Sequence, residues 1–139
     1  MNSFKLTIVS PDGCHHDGPA EMVTIRTTEG DVSIMANHMK YVAAIGMGPA
    51  IILSEGKRSY GACIGGMLAV LENEVNIVAT TFEWADDIDT EHCKESMARA
   101  EAMLAKPDLS EADKRIYEAK RRRAKVRLEC AEMYAGKNQ

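Results

Sequence analysis

The spacing of apolar residues changes once along the chain, near Ala85. Before that point they come in short β-branched runs, some alternating, separated by Gly, Pro, Asp and Asn; after it they recur at steps of three and four among charges. The first pattern predicts strands and the second predicts helices. Strands are expected over residues 4–9, 22–27, 32–34, 41–45, 50–54, 58–64, 67–71 and 75–79. Ser10-Pro11-Asp12-Gly13 ends the first of them, with Pro and Gly in turn-forming positions. Glu29-Gly30-Asp31 interrupts two runs and is expected at an exposed loop tip. Glu55-Gly56-Lys57 reads as a turn, and Glu72-Asn73-Glu74 as the tip of a hairpin. No helical pattern separates these runs, so an antiparallel sandwich or barrel is expected. Gly65-Gly66 resembles a phosphate loop only superficially, because no Lys-Ser/Thr pair follows; a close backbone approach or a bulge is the expected use.

From Ile88 onward, Asp89 or Thr90 can cap a helix whose apolar stripe is Cys93, Met97, Ala100 and Leu104, ending at Pro107. Asp108 or Ser110 can cap a second helix. Its seam reads Leu109, Ala112, Ile116, Ala119, Val126, Cys130 and Met133, with Arg123 the only intruder. The two stripes predict an antiparallel hairpin closed by small Ala contacts. The expected division is a β-sandwich over 1–85 and a two-helix domain over 86–139. The fold class is an all-β N-terminal sandwich followed by a small α-helical hairpin domain.

Composition narrows the chemistry. The 139 residues are 45% hydrophobic but only 5% aromatic, which leaves few stacking platforms for nucleic-acid bases. No apolar run approaches the roughly 18 residues of a membrane span, and the opening residues carry no cleavable signal pattern, so the chain reads as cytosolic in type. Cys14, Cys63, Cys93 and Cys130 are widely spaced and read as reduced thiols. Cys14-His15-His16-Asp17 is not expected to hold a metal, because neighbours in an extended segment point to opposite faces. Ser10, Ser33, Ser54 and Ser59 lack a nucleophile elbow, and His15, His16, His38 and His92 lack the spacing of a catalytic or zinc site. Catalytic residues and metal ligands are therefore expected to be none.

Charge is segregated within a chain whose net charge is −4. Residues 114–127 hold Lys114, Arg115, Lys120, Arg121, Arg122, Arg123, Lys125 and Arg127 against the single acid Glu118. Such a helix is either a solvated face or a surface for an acidic protein or a phosphate-bearing ligand, since clustered guanidinium groups pair well with both. A free-standing sandwich adaptor, whose basic helix binds nucleic acid or an acidic protein, is one functional class that fits.

A second class comes from resemblance. Ser10-Pro11-Asp12-Gly13, the run Arg26-Thr27-Thr28-Glu29-Gly30-Asp31-Val32-Ser33-Ile34, the segment Gly65-Gly66-Met67-Leu68-Ala69-Val70, and Ile88-Asp89 leading into a charged helix occur in this order. Together they resemble the epsilon subunit of the rotary (F-type) ATP synthase along nearly the whole chain. The resemblance implies a non-catalytic central-stalk subunit that couples the gamma subunit to the c ring of a proton- or sodium-translocating complex. It also implies alpha and beta subunits as partners, no nucleic acid, and a place on the cytoplasmic face of the bacterial plasma membrane through the complex alone. Glu29, Asp31 and His38 fall at positions resembling the c-ring contact. Arg121, Arg122, Arg123 and Arg127 resemble a basic helix that restrains ATP hydrolysis. The loop around His38 lacks the two prolines usual in the family.

In family members that bind ATP between the helices, an Ile/Leu-Asp-x-x-Arg-Ala motif opens the first helix. Here Ile88-Asp89-Thr90-Glu91-His92-Cys93 keeps the Asp and has His92 in place of the Arg. With Arg99, and with Arg123 and Arg127 after a one-residue shift, the resemblance implies a nucleotide site at Asp89, His92, Arg99, Arg123 and Arg127. ATP would be its regulatory ligand, and no other cofactor is implied.

Overall fold

The computed structural model describes residues 2–137; Met1, Asn138 and Gln139, the outer ends of the two expected domains, lie outside the described residues. Eight strands come first: β1 (Phe4–Ser10), β2 (Gly13–Ala20), β3 (Met22–Thr27), β4 (Gly30–Met35), β5 (Tyr41–Ala44), β6 (Met47–Ser54), β7 (Lys57–Leu71) and β8 (Glu74–Trp84). A 3-10 turn at Ala85–Asp87 then leads into α1 (Thr90–Leu104) and α2 (Glu111–Lys137). The architecture is the expected β-sandwich followed by two helices.

The hydrogen-bonded order is β2-β1-β8-β7-β6-β3-β4, with β5 also on β7. Pairing is antiparallel except where β1 runs parallel to β8, with Leu6 opposite Val75 and Ile8 opposite Ile77. That pair corrects the expectation of a wholly antiparallel sheet. It joins segments far apart in sequence, and no turn residue announces it. β2 was not expected as a strand either. Its residues Gly13 to Ala20 are mostly polar and include Gly18 and Pro19, which an edge strand tolerates because one of its sides has no ladder to complete.

The sheet folds over itself at a corner that crosses several strands. Gly65 and Gly66 have φ of 73° and 118°, and a Cβ on Gly66 would strike the Val78 carbonyl. Ile45 N donates to Gly66 O at 2.9 Å, and Gly65 N donates to Gly46 O at 2.9 Å. Ile64 faces Thr81 and Gly66 faces Ala79, so the register with β8 is unchanged across the corner. Of the two expected uses, the glycines serve close approach, and what the pattern divides into two runs is one 15-residue strand. Residues 57–64 of β7 pair with β6 in one layer, and residues 67–70 pair with β5 in the other.

Alternation places the core. Phe4, Leu6 and Ile8 of β1, Val23 and Ile25 of β3, Ile52 of β6, Leu68 and Val70 of β7, and Val75 and Ile77 of β8 are buried in one cluster. Each such side chain contributes roughly 1.5–3 kcal/mol by leaving water. Every buried member of this cluster precedes Ala85, so the sandwich fills its interior without the helices.

A second, smaller cluster joins the helices to the sandwich. Cys63 points inward, so its neighbours Ala62 and Ile64 point out of the sheet. Over them pack Ala85, Ile88, Cys93, Val126, Cys130 and Ala131, with Met47, Tyr60, Leu128 and Tyr134 at the margin. Asp89 caps α1 by accepting from His92 N, and Ser110 Oγ accepts from Asp113 N at the start of α2. The hairpin is closed by buried Ala100 and Ala124, as the small residues predict. The expected seam of α2 needs correction: Ile116 and Met133 are exposed, and so are Ala112 and Arg123. A straight α-helix drifts about 20° per heptad from a 3.5-residue repeat, and α2 packs on two neighbours rather than one. Its buried residues, Ala124, Val126, Cys130 and Ala131, therefore form a broad face in its second half.

Candidate functional site

Between the hairpin, which packs on β6 and β7, and the last residues of β8 lies a cleft of about 1000 Å³. Ile64 and Phe82 supply apolar lining from the sandwich, and Ala100, Met103 and Ala124 supply it from the helices. His92, Ser96, Arg99, Met103 and Lys106 line it from α1 and the residue after its cap, at steps of three and four. Tyr117, Lys120, Arg123, Ala124 and Arg127 line it from α2 in the same way. Asp12, from the first turn, and Glu83, from β8, are its carboxylates.

The structure thus brings together four of the five residues implied for a nucleotide: His92, Arg99, Arg123 and Arg127. Asp89 stands at the mouth of α1 as its cap. Arg127 is already engaged. Its Nε donates to Glu83 Oε1 at 2.8 Å and its Nη2 to Oε2 at 3.2 Å, a two-pronged pair that is only 25% and 30% exposed. This hydrogen-bonded carboxylate holds the Arg127 guanidinium more firmly charged than usual. Arg99 donates to Ser96 Oγ at 3.4 Å, and the Lys120 ammonium lies 5.3 Å from the centre of the Tyr117 ring. An apolar floor under a rim of guanidinium and ammonium groups suits a ligand with one flat apolar part and several negative charges.

The four arginines implied as one inhibitory surface divide between two faces. Arg123 and Arg127 face the cleft, whereas Arg121 and Arg122 lie with Lys125, Met97, Glu101 and Glu118 in a groove elsewhere between the helices. Glu29 is exposed in the β3–β4 turn, which Thr27 braces by donating to Gly30 O at 2.7 Å. Asp31 pairs with Arg26 across the same hairpin at 3.0 Å. His38 sits in the loop after the other end of β4, where its Nδ1 donates to Met39 O. Glu29 and Asp31 are therefore at one end of β4 and His38 is beyond the opposite end.

Glu83, Lys106, Tyr117 and Lys120 were not among the implied site residues. The spacing Arg99, Met103, Lys106 and Tyr117, Lys120, Ala124, Arg127 marks each set as one helix face, and that signal was available. Glu83 carries no such mark, since only the β8 register and the docking of α2 bring it to Arg127.

Residues 3–85 match the family described as ATP synthase, Delta/Epsilon chain, beta-sandwich domain. The chain belongs to that family. It is 34% identical over 131 residues to the ATP synthase epsilon chain of Shouchella clausii (strain KSM-K16), covering 94% of this chain and 96% of that one. It is 35% identical over 135 residues to the ATP synthase epsilon chain of Caldicellulosiruptor bescii, covering 95% and 96%. Among solved structures it is similar to a chain of the Euglena gracilis mitochondrial ATP synthase OSCP/F1/c-ring assembly, with a TM-score of 0.71, 25% identity, and coverage of 99% of this chain and 82% of that one.

Proposed function

We propose that this chain is the non-catalytic epsilon subunit of a proton- or sodium-translocating ATP synthase, a rotor part that couples the gamma subunit to the c ring and restrains ATP hydrolysis through its helices. One observation carries the reading: a helical hairpin is docked on the outside of a sandwich that completes its own core. A rotor needs a rigid body to transmit torque, and a brake needs a second part that can leave it. The smaller cluster and the Arg127–Glu83 pair are the contacts such a release must break, at a cost of a few kcal/mol that a ligand or partner can offset.

The other surfaces fit the same partners. Val42, Met67 and Val78 are exposed apolar side chains on strands β5, β7 and β8, and Met39 is exposed beside them in chain order. This apolar sheet face is the seat for gamma. The turn carrying Glu29 and Asp31 meets the c ring, and the loop carrying His38 contributes to the same contact. Alpha and beta subunits meet the helices when they extend. Arg121, Arg122 and Arg123 are exposed already, while Arg127, paired with Glu83, becomes available to an acidic surface only on undocking. No helix among the described residues is long and apolar enough to cross a membrane; association with the cytoplasmic face of the bacterial membrane comes through the complex. ATP is the regulatory ligand of the cleft and stabilises the docked hairpin.

Reconstitution tests this reading. A chain ending at Asp86 should join alpha, beta and gamma subunits as well as the full chain does, and the complex it forms should hydrolyse ATP faster. Failure to assemble contradicts the rotor role, and unchanged hydrolysis contradicts the brake.

A further inference from the structure

The outer face of the layer formed by β5, β7, β8, β1 and β2 carries a continuous apolar row. Ala44 of β5 lies opposite Met67 of β7, Met67 opposite Val78 of β8, and Val78 opposite Val9 of β1. Residues directly opposite one another share a face of the sheet. Cys14, an exposed thiol on the edge strand β2, ends the row opposite Val9. The adjoining row reads Val42, Ala69, Asn76 and Thr7; charge enters with Asp17 at its edge, and with Glu74 and Lys5 one row further. Met67 is 48% exposed and Val78 54%, so the sulfur at the middle of this face is open to solvent in the free chain. The other exposed methionines of the sandwich lie outside the row: Met39 in the loop before β5, and Met35 on β4, whose neighbours β3 and β6 belong to the other layer. A reduced methionine suits an apolar seat, because its flexible, polarizable thioether moulds to a partner. Its sulfoxide does not. The new oxygen is a strong acceptor, and Ala44, Val78 and Val9 offer it no side-chain donor.

We propose that Met67 is an oxidation switch on the surface that takes the gamma subunit: a peroxide converts the exposed thioether of the free chain to the sulfoxide, and the sulfoxide keeps the chain from joining the complex. The inference rests on the reading of this sheet face as the seat for gamma. In the step, the thioether sulfur attacks one oxygen of hydrogen peroxide, the O–O bond breaks and an S–O bond forms. The departing hydroxide takes the proton from the new S–OH and leaves as water, so the sulfur is oxidised and the peroxide reduced. A thiol-dependent sulfoxide reductase reverses the change. Docking covers Met67, which confines the switch to the chain before assembly. Burying an oxygen that finds no donor weakens docking by about ten- to a hundred-fold. Met39 and Met35 are more exposed and oxidise at least as readily, but they lie outside the row and do not set the affinity.

The test measures binding of the full chain to a complex of alpha, beta and gamma subunits before and after hydrogen peroxide, with mass spectrometry reporting which methionines carry oxygen. Every chain carries Cys14→Ser, which removes the exposed thiol that peroxide also attacks. Treatment should weaken the parent by about ten- to a hundred-fold, and methionine sulfoxide reductase should restore it. Whatever its starting affinity, Met67→Leu should keep that affinity through the treatment, whereas Met35→Leu/Met39→Leu should lose as much as the parent. A parent that binds equally well with Met67 converted overturns the switch. So does a Met67→Leu chain that weakens as the parent does, or a Met35→Leu/Met39→Leu chain that resists. Val78→Asp, measured without peroxide, separates the switch from the seat: it should abolish binding, and if it binds like the parent, seat and switch both fall. Circular dichroism melting of each sample establishes that folded proteins are compared.

Discussion

The two apolar clusters differ in size, chemistry and ownership. The sandwich core is built mainly of Leu, Ile, Val and Phe, with Ala20, Ala50, Cys63 and Ala79 between them, all from residues that precede Ala85, and it would be complete if the chain stopped there. The helix-facing cluster is built largely of Ala and Cys, with Ile64, Ile88 and Val126 as its larger aliphatic members, and it exists only while α2 lies on β7. Large branched side chains bury more surface per residue and lock into one packing, whereas small ones allow close approach with little area lost to water. The first cluster holds a fold together. The second holds a position.

That contrast can be broken most severely from inside the sandwich. Leu68→Ala should cost about 2–5 kcal/mol and lower the unfolding midpoint of the whole chain in urea. Ending the chain at Asp86 should do far less to the sandwich, shifting its melting by a few degrees at most and leaving the amide NMR spectrum of β1 to β6 largely in place. A truncated chain that fails to fold would mean that the two clusters are one core.

The next effect lies at the joint. Glu83→Gln should weaken docking of the hairpin by about 1–3 kcal/mol, because it leaves the half-buried Arg127 guanidinium with a neutral partner. Faster amide exchange in α2, with no change in the strands, is the expected signature.

The thiols sharpen the contrast by pH. Burial pushes Cys63 of the sandwich and Cys130 of α2 up to about 12 from 9.0, and it also raises Cys93 against the pull of nearby Arg127. Released thiols ionise near 9, so above that pH the open state sheds protons that the packed state keeps. Stability is complete below 9 and declines as the pH rises toward 12. By pH 10 the loss is about 1 kcal/mol per thiol. Cys130→Ala should reduce that decline in helix docking to the part that Cys93 contributes, and Cys63→Ala should reduce it in sandwich unfolding. Smallest of all, Ser110→Ala should cost about 1 kcal/mol at the start of α2 by removing its cap, with no effect on the strands.

How much of this was legible in the sequence follows from the range of each signal. Alternation in residues 4–9 and 22–27, the Asp89 cap and the Pro107 break are local, and the structure places them as the pattern does. β2 was not legible because a polar edge strand has no apolar face to display. The parallel β1–β8 pair and the Glu83–Arg127 contact join residues far apart, and nothing in either neighbourhood encodes the other. The α2 sequence reads as a heptad seam only for a helix whose single neighbour is α1. Ile116 and Met133 came out exposed once the sandwich became its other neighbour. Of the site, the helix-borne cations could be gathered by resemblance, but the sandwich wall of the cleft came only with the fold.

Rates of alkylation at the four native cysteines test the central claim, that the hairpin leaves a sandwich which stays folded. Cys14 is exposed and the other three are buried. With iodoacetamide and mass spectrometry under native conditions, Cys14 should react first, and Cys93 and Cys130 should follow together at the rate of hairpin opening. Cys63 should react last, only as the whole sandwich unfolds, and ATP should slow Cys93 and Cys130 without touching Cys63. Equal rates at Cys63, Cys93 and Cys130 would contradict the account, because the protein would then open as a single unit.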